Sequence, residues 1–255
     1  MALEILTVPC RSDNYAFIVH NPQTAETAIV DAPEADPLLK AVSTRGWTPS
    51  SVLITHHHAD HVEGLDGLKS EFDLKVVGAK SDRERLPKLD IEVSEGDEIE
   101  VCGQTTQIFD VSGHTIGHIA FYIPSAGAVF TADSLMALGC GRVFEGTMDQ
   151  MWASLSKLAA LPENTMVYSG HEYTAANAKF ALTIEPDNPK LQARVKEISE
   201  KRAKSLATVP SRLSLELSTN PFLRASEPGI RQSLGLEDAS DAEVFAEIRS
   251  RKDRF

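Results

Sequence analysis

The chain has 255 residues, 42% hydrophobic and 24% charged, long enough to bury roughly 70–75% of its unfolded surface with no metal or disulfide as a staple. With 15 Gly and 13 Pro its composition is that of an ordinary globular protein, which sets aside disorder, collagen and coiled coil. The net charge of −12 argues against nucleic acid or an anionic membrane as the main partner.

In chain order, the opening MALEILTVPCRSDNY lacks a basic segment followed by an apolar one, and no stretch reaches 18 apolar residues, so a cytoplasmic location is expected. Short apolar runs rich in Val, Ile and Phe then predict strands over Glu4–Pro9, Tyr15–His20, Thr27–Asp31, Ser51–Thr55, Lys75–Gly78, Gln104–Val111, Ile119–Ile123, Ala128–Thr131 and Met166–Ser169. Between them, helices are expected over about Pro37–Arg45, Asp60–Glu71 and Gln150–Ala160. Many strands with few helices suggest two packed sheets covered by helices, an α+β class rather than a regular βαβ repeat.

After Gly170 the composition shifts to Ala, Lys, Glu and Arg. Helices are expected over Tyr173–Ile184 and Asn188–Leu206, the second with Leu191, Val195 and Ile198 on one stripe. Ser240 and Glu243 form a capping-box pattern that opens a last helix with Val244, Phe245 and Ile248 as its apolar face. The expected division is 1–171 and 172–255. Charge divides too: residues 1–189 carry 12 basic against 27 acidic side chains, and residues 190–255 carry 13 against 10. Cys10, Cys102 and Cys140 are odd in number and scattered, so no disulfide framework and a reducing compartment are expected.

Chemistry concentrates after the strand Ser51–Thr55, where His56, His57, His58, Asp60 and His61 follow within six residues. His56 and His58 are two apart and share one side of an extended segment. Asp60 is placed to cap the helix that follows, and His57, between two ligands, is expected to point away. Clustered imidazoles have little structural use at neutral pH without a metal, and His with Asp and no Cys suits zinc, manganese or iron. His114, Asp133 and His171 each follow a further strand beside a small residue and join the candidate ligands. His20 and His118 read as structural, the three Cys as buried, and Gly139-Cys140-Gly141 as too weak a pattern for a phosphate site.

The series His56-x-His58-x-Asp60-His61, His114, Asp133, His171 resembles the metal-binding motif of the metallo-β-lactamase superfamily, which implies a four-layer αββα sandwich. Gly139-Cys140-Gly141-Arg142-x-Phe144-Glu145-Gly146, Gly170-His171-Glu172-Tyr173-Thr174, Asn220-Pro221-Phe222-Leu223-Arg224 and Arg249-x-x-Lys252-Asp253 resemble the glyoxalase II (hydroxyacylglutathione hydrolase) family from end to end. The resemblance implies a metallo-β-lactamase-like catalytic domain followed by a helical substrate-binding domain, and hydrolysis of S-D-lactoylglutathione to glutathione and D-lactate. It implies two divalent metal ions, zinc foremost, with His56, His58 and His114 at one, Asp60, His61 and His171 at the other, and Asp133 bridging. Asp60 and Asp133 are then the catalytic carboxylates around a hydroxide shared by the metals. Glutathione would be held by Arg142, Tyr173, Arg249 and Lys252.

Phe144 stands where Tyr is expected in the eukaryotic members, Ser112 where Pro is frequent, and Ala132 where Gly is common. Three rivals stay open at this point. One is a mononuclear iron persulfide dioxygenase of the same superfamily, expected to lack the helical C-terminal part. Another is a β-lactamase, disfavoured by the absent leader and absent Cys ligand. The third is a catalytically silent module that binds glutathione conjugates.

Overall fold

The computed structural model describes residues 3–255, which form two compact units: one runs to Asp110 and resumes over Ile116–Ala132, the other comprises Val111–Thr115 and Asp133–Phe255. In chain order the first unit contains β1 (Glu4–Cys10), β2 (Asn14–His20), β3 (Thr27–Val30), α1 (Ala35–Arg45), β4 (Ser51–Leu53), α2 (Ala59–Val62), α3 (Leu65–Glu71), β5 (Lys75–Ala79) and β6 (Ile91–Val93). These strands form one sheet in that order, antiparallel from β1 to β3 and parallel from β3 to β6. A second, antiparallel ladder joins β7 (Glu98–Val101), β8 (Gln104–Asp110), β9 (Ile119–Ile123) and β10 (Ala128–Ala132). Every residue of β2, β9 and β10 is buried, which is why those segments read as continuous apolar runs instead of alternating ones. The two sheets meet through Phe17 and Phe130, whose ring centroids are 5.6 Å apart.

The second unit opens with the hairpin of β11 (Leu135–Met136) and β12 (Gly139–Cys140), followed by α4 (Met148–Ala159) and β13 (Met166–Ser169). The rest is helical: α5 (Thr174–Ile184) and α6 (Pro189–Ala203), then β14 (Ser211–Arg212) paired with β13, α7 (Leu213–Thr219), α8 (Pro228–Leu234) and α9 (Asp241–Asp253). Leu191 and Ile198 pack with Ala178, Ala181 and Leu138. The capping box at Ser240 and Glu243 forms, and Val244, Phe245 and Ile248 are fully buried, each side chain contributing about 1.5–3 kcal/mol. Among the described residues, no helix is long and apolar enough to cross a membrane.

Local steric facts account for the differences from expectation. The helix expected over Asp60–Glu71 breaks at Glu63–Gly64, where the Gly64 amide donates to the Ala32 carbonyl at 2.8 Å instead of back along the helix, an approach open to glycine because a Cβ there would lie 2.7 Å from the Glu34 carbonyl carbon. Asp60 is not its cap: the N-cap position is His58, with no side-chain capping bond. α4 starts two residues earlier than expected, since Thr147 and Gln150 form a capping box of their own.

Candidate metal centre

In the first unit the parallel strand β4 ends at Leu53, and the chain leaves it as the loop that carries the clustered histidines. Their anchor is Asp31, which follows β3, is buried, and has a left-handed backbone with φ 57°. Its Oδ1 accepts the Thr55 amide at 2.9 Å, and its Oδ2 meets Thr55 Oγ1 and His61 Nδ1, both at 2.8 Å. Thr55 Oγ1 also lies 3.0 Å from His56 Nδ1. The hydroxyl donates to the carboxylate and can accept from the imidazole, so one aspartate sets two histidines. Asp60 accepts from Asn14 Nδ2 at 3.0 Å, which aims its carboxylate from the side.

The ring of His56 packs between neighbours, 4.2 Å from His61 and 4.8 Å from His58 by centroid, and it stacks on His118 at 4.6 Å. His118, buried and bonded to the Ile119 carbonyl, supports the cluster from below. His57 directs Nδ1 to the buried Asp82 at 3.1 Å, and His20 bonds Thr27 and stacks on Trp47.

In the second unit His114, Asp133 and His171 converge. Asp133 Oδ2 is 3.4 Å from His114 Nε2 and 3.3 Å from His171 Nε2. The Arg142 carbonyl accepts from His114 Nδ1 at 2.8 Å. Close approach here depends on Gly141: a Cβ there would stand 1.9 Å from the Asp133 carbonyl oxygen and 3.0 Å from His114 Nδ1. The glycine pattern too weak for a phosphate loop thus serves to bring backbone against Asp133. Ala132, immediately before that aspartate, has φ 39°, the conformation that glycine adopts freely and alanine at a cost of about 1–2 kcal/mol.

These residues fit a metal by the chemistry of their donors. His56, His61 and His114 each have Nδ1 tied to an oxygen acceptor, so in the neutral tautomer Nε2 carries a lone pair and acts as a ligand. His114 Nε2 and His171 Nε2 face the same oxygen of Asp133, an arrangement that a cation shared by the three groups would satisfy. Histidine and aspartate side chains of this set are positioned for metal binding.

The metallo-beta-lactamase superfamily model matches residues 21–171, and the model for the hydroxyacylglutathione hydrolase C-terminus matches residues 172–255. A protein of Ruegeria pomeroyi named hydroxyacylglutathione hydrolase is 60% identical over 255 residues, all of both chains. Another from Mesorhizobium japonicum is 49% identical over the same full lengths. The chain belongs to the hydroxyacylglutathione hydrolase family. Its fold is that of the metallo-β-lactamases: the BLEG-1 B3 metallo-beta-lactamase superposes with TM-score 0.67 at 20% identity, covering 86% of this chain and 99% of that one. A protein titled TTHA1623 in a di-iron-bound form superposes with TM-score 0.61 at 25% identity, covering 86% and 100%.

In this hydroxyacylglutathione hydrolase family member the residues expected to hold substrate fall into two groups. Tyr173, 40% exposed, stacks on His171 at 4.7 Å, and Phe144, 62% exposed, sets its ring 5.2 Å from that of His114. The cations Arg142, Arg249 and Lys252 share a neighbourhood with one carboxylate, Asp253. Arg249 Nη2 is 2.9 Å from Asp253 Oδ1 and Arg142 Nε is 3.8 Å from it. Burial, and then the charges of Arg249 and Arg142, pull the Lys252 ammonium below the usual lysine range. Exposed Arg142 and half-buried Lys252 suit an anion. Arg249 lies deeper: it is 3% exposed, with Nη1 donating to the Cys140 carbonyl at 2.9 Å and the guanidinium over the Phe222 ring. Its four-residue spacing from Phe245 places it on the buried stripe of α9.

Asp31, Thr55 and Asn14 were not singled out from the sequence. Asp31 and Asn14 are 30 and 46 residues from the groups they orient, and only the closing bracket of β3 and β4 gave a hint, an Asp at one strand end beside a Thr at the next.

Proposed function

We propose that the chain hydrolyses S-(2-hydroxyacyl)glutathione thioesters, chiefly S-D-lactoylglutathione to glutathione and D-lactate. The observation that carries this reading is the full-length identity of 60% to a relative of that name. The tied imidazoles and the cationic cluster supply independent support. Two divalent metals, zinc foremost, would be held by His56, His58 and His114 and by Asp60, His61 and His171, with Asp133 shared. When bound, such a pair lowers the pKa of water toward about 7 and polarises the scissile carbonyl.

The protein's own groups do the remaining work. Asp31 and the Arg142 carbonyl keep the imidazoles in their ligating tautomer. Asp60, held by Asn14, is a general orienter for the attacking water. The leaving thiolate, with a parent pKa near 8.5, needs little protonation. Arg142, Arg249 and Lys252 would meet the carboxylates of glutathione, with Tyr173 beside them, so residues 1–171 would carry the metal ligands and Arg142, and residues 172–255 would add Tyr173, Arg249 and Lys252 to the hold on substrate. The C-terminal match favours this over a persulfide dioxygenase of the same superfamily.

The test is release of thiol from S-D-lactoylglutathione by protein of measured metal content. Turnover with two metals per chain is expected, and Asp133→Asn should lose both metal and most activity. Metal-loaded protein that leaves the thioester intact, or that consumes oxygen with glutathione persulfide, would overturn the reading.

A further inference from the structure

We propose that Asn220, with Glu216 beside it, is a positioning residue for the metal centre: from the end of α7 it holds the turn of the β11–β12 hairpin, whose two ends carry Asp133 and Arg142. The inference rests on the function proposed above and adds to it residues that act on the site through the backbone of one hairpin.

The hairpin pairs Met136 with Gly139 and turns at Ala137–Leu138, where side chains from the helices meet its main-chain polar groups. Asn220 Nδ2 donates to the Met136 and Gly139 carbonyls at 3.1 and 3.0 Å, and Asn177 Nδ2 donates to the Ala137 carbonyl at 3.1 Å. The Leu138 amide donates to Glu216 Oε2 at 2.9 Å. Leu138 itself has φ 55°, a left-handed backbone that costs any residue with a Cβ, and its side chain packs with Ala178, Ala181, Leu191 and Ile198. Glu216 and Asn220 are fully buried. Arg194, also buried, pairs with Glu216 and donates from Nη1 to Thr219 Oγ1 at 2.6 Å, so the carboxylate under the turn is compensated. Asn220 Oδ1 accepts the Phe222 amide at 3.1 Å, which fixes the plane of the side chain with Nδ2 toward the hairpin. At the open end of the hairpin Gly141 N donates to the Ser134 carbonyl at 3.0 Å, next to Asp133, and the Arg142 carbonyl accepts from His114 Nδ1 at 2.8 Å. A tilt of the turn is therefore passed to Asp133 and His114 together. Apolar packing would stabilise this core as well as a buried ion pair does, whereas only polar side chains can pair the buried main-chain groups of this turn.

Asn220→Ser keeps an oxygen for the Phe222 amide and withdraws the donor from Met136 and Gly139. Thr219→Val, of nearly equal shape, deletes the bond to Arg194 without touching the turn and serves as the comparison for stability alone. For each we would measure the thermal midpoint, zinc affinity, the absorption spectrum of the cobalt-substituted protein, and KM and kcat separately. Both variants should lower the midpoint. Asn220→Ser should in addition weaken zinc about 10-fold, the low end for groups that act behind metal ligands, change the cobalt spectrum and lower kcat more than it raises KM. Thr219→Val should keep the zinc affinity and spectrum of the parent. Parent-like zinc affinity and cobalt spectrum in Asn220→Ser would overturn the proposal, as would an equal loss of zinc affinity in Thr219→Val.

If Asn220→Ser does not fold, the parent protein carries the test. Coupling between the turn and the metal centre is reciprocal, so 15N NMR should show the side-chain amides of Asn220 and Asn177 shifted between metal-free and zinc-loaded protein. The amide of Asn21, which donates to the Cys102 carbonyl in the first unit, should stay in place. Coincident Asn220 and Asn177 signals in the two forms would overturn the proposal. A parent protein that binds two metals yet leaves the thioester intact refutes the functional reading instead, while the zinc, cobalt and NMR measurements still decide the role of Asn220.

Discussion

Replacing Gly141 by Ala adds one methyl at the tightest point of the second unit. The new Cβ would sit 1.9 Å from the Asp133 carbonyl oxygen and 3.1 Å from its carbon, against the 3.4 Å at which ordinary contact begins. Relief requires about 1.5 Å of backbone movement, and the Asp133 carbonyl cannot rotate away because it is main chain. Gly141 N is also bonded to Ser134 O, so the segment is held from that side as well. The displacement falls on Asp133 and on His114, whose Nδ1 is 3.0 Å from the same methyl. Overpacking costs about 1–3 kcal/mol of stability, while a shift near 1 Å among reacting groups costs about 100-fold in rate. The variant should therefore remain folded, with a lower thermal midpoint, reduced bound metal and kcat about 100-fold down. Calorimetry, metal analysis and thiol release from S-D-lactoylglutathione check the three parts. Parent-like metal content and turnover in Gly141→Ala would refute the argument that this glycine exists to bring backbone against Asp133.

Ala132→Gly removes a Cβ from a left-handed position; the gain of about 1–2 kcal/mol is partly offset by glycine's chain entropy of about 0.5–1 kcal/mol, so a denaturant titration should show equal or higher stability, never a large loss. Lys252 loses its positive charge as pH rises, and because burial holds its pKa below the ordinary lysine range, KM should begin to rise at a lower pH than for an ordinary lysine; in Lys252→Arg the rise should vanish from that range. Burial raises the thiol of Cys10 to about 12, of Cys102 to about 12 and of Cys140 to about 11, so iodoacetamide at pH 8 should label native protein far more slowly than urea-unfolded protein, and rapid native labelling would contradict their burial.

The candidate metal residues were legible because four ligand-type side chains fall within six positions after a strand, a density that local structure alone does not explain. The anchors behind them were not. Asp31 acts on His61 only because β3 and β4 lie side by side, and a single aspartate at a strand end carries no local sign of that pairing. Periodicity found the apolar face of α9 and put Arg249 and Lys252 on one side, yet it does not measure depth: Phe245 lies one turn before Arg249 and draws it into the core. The strands β6 and β7 are short and Glu-rich, so a reading guided by apolar runs passes over them, although Glu98-Ile99-Glu100-Val101 does alternate.

The acidic total conceals how the cationic cluster is balanced. Arg142, Arg249 and Lys252 gather around the carboxylate of Asp253, and burial, then the charges of Arg249 and Arg142, lower the Lys252 pKa against the pull of that carboxylate. A partly desolvated ammonium between two guanidinium groups is costly unless an anion completes the set. Arg142 and Lys252 are the two of the three that reach solvent, and the Lys252 ammonium, over the Phe180 and Phe255 rings and beside the Ala176 carbonyl, has no carboxylate as a direct partner. A ligand carboxylate there would relieve the repulsion and raise the Lys252 pKa, so S-methylglutathione binding should take up protons in the pH range where that lysine titrates. Calorimetry in buffers of different ionisation enthalpy measures this uptake, and binding with no linked proton would place the substrate carboxylate elsewhere.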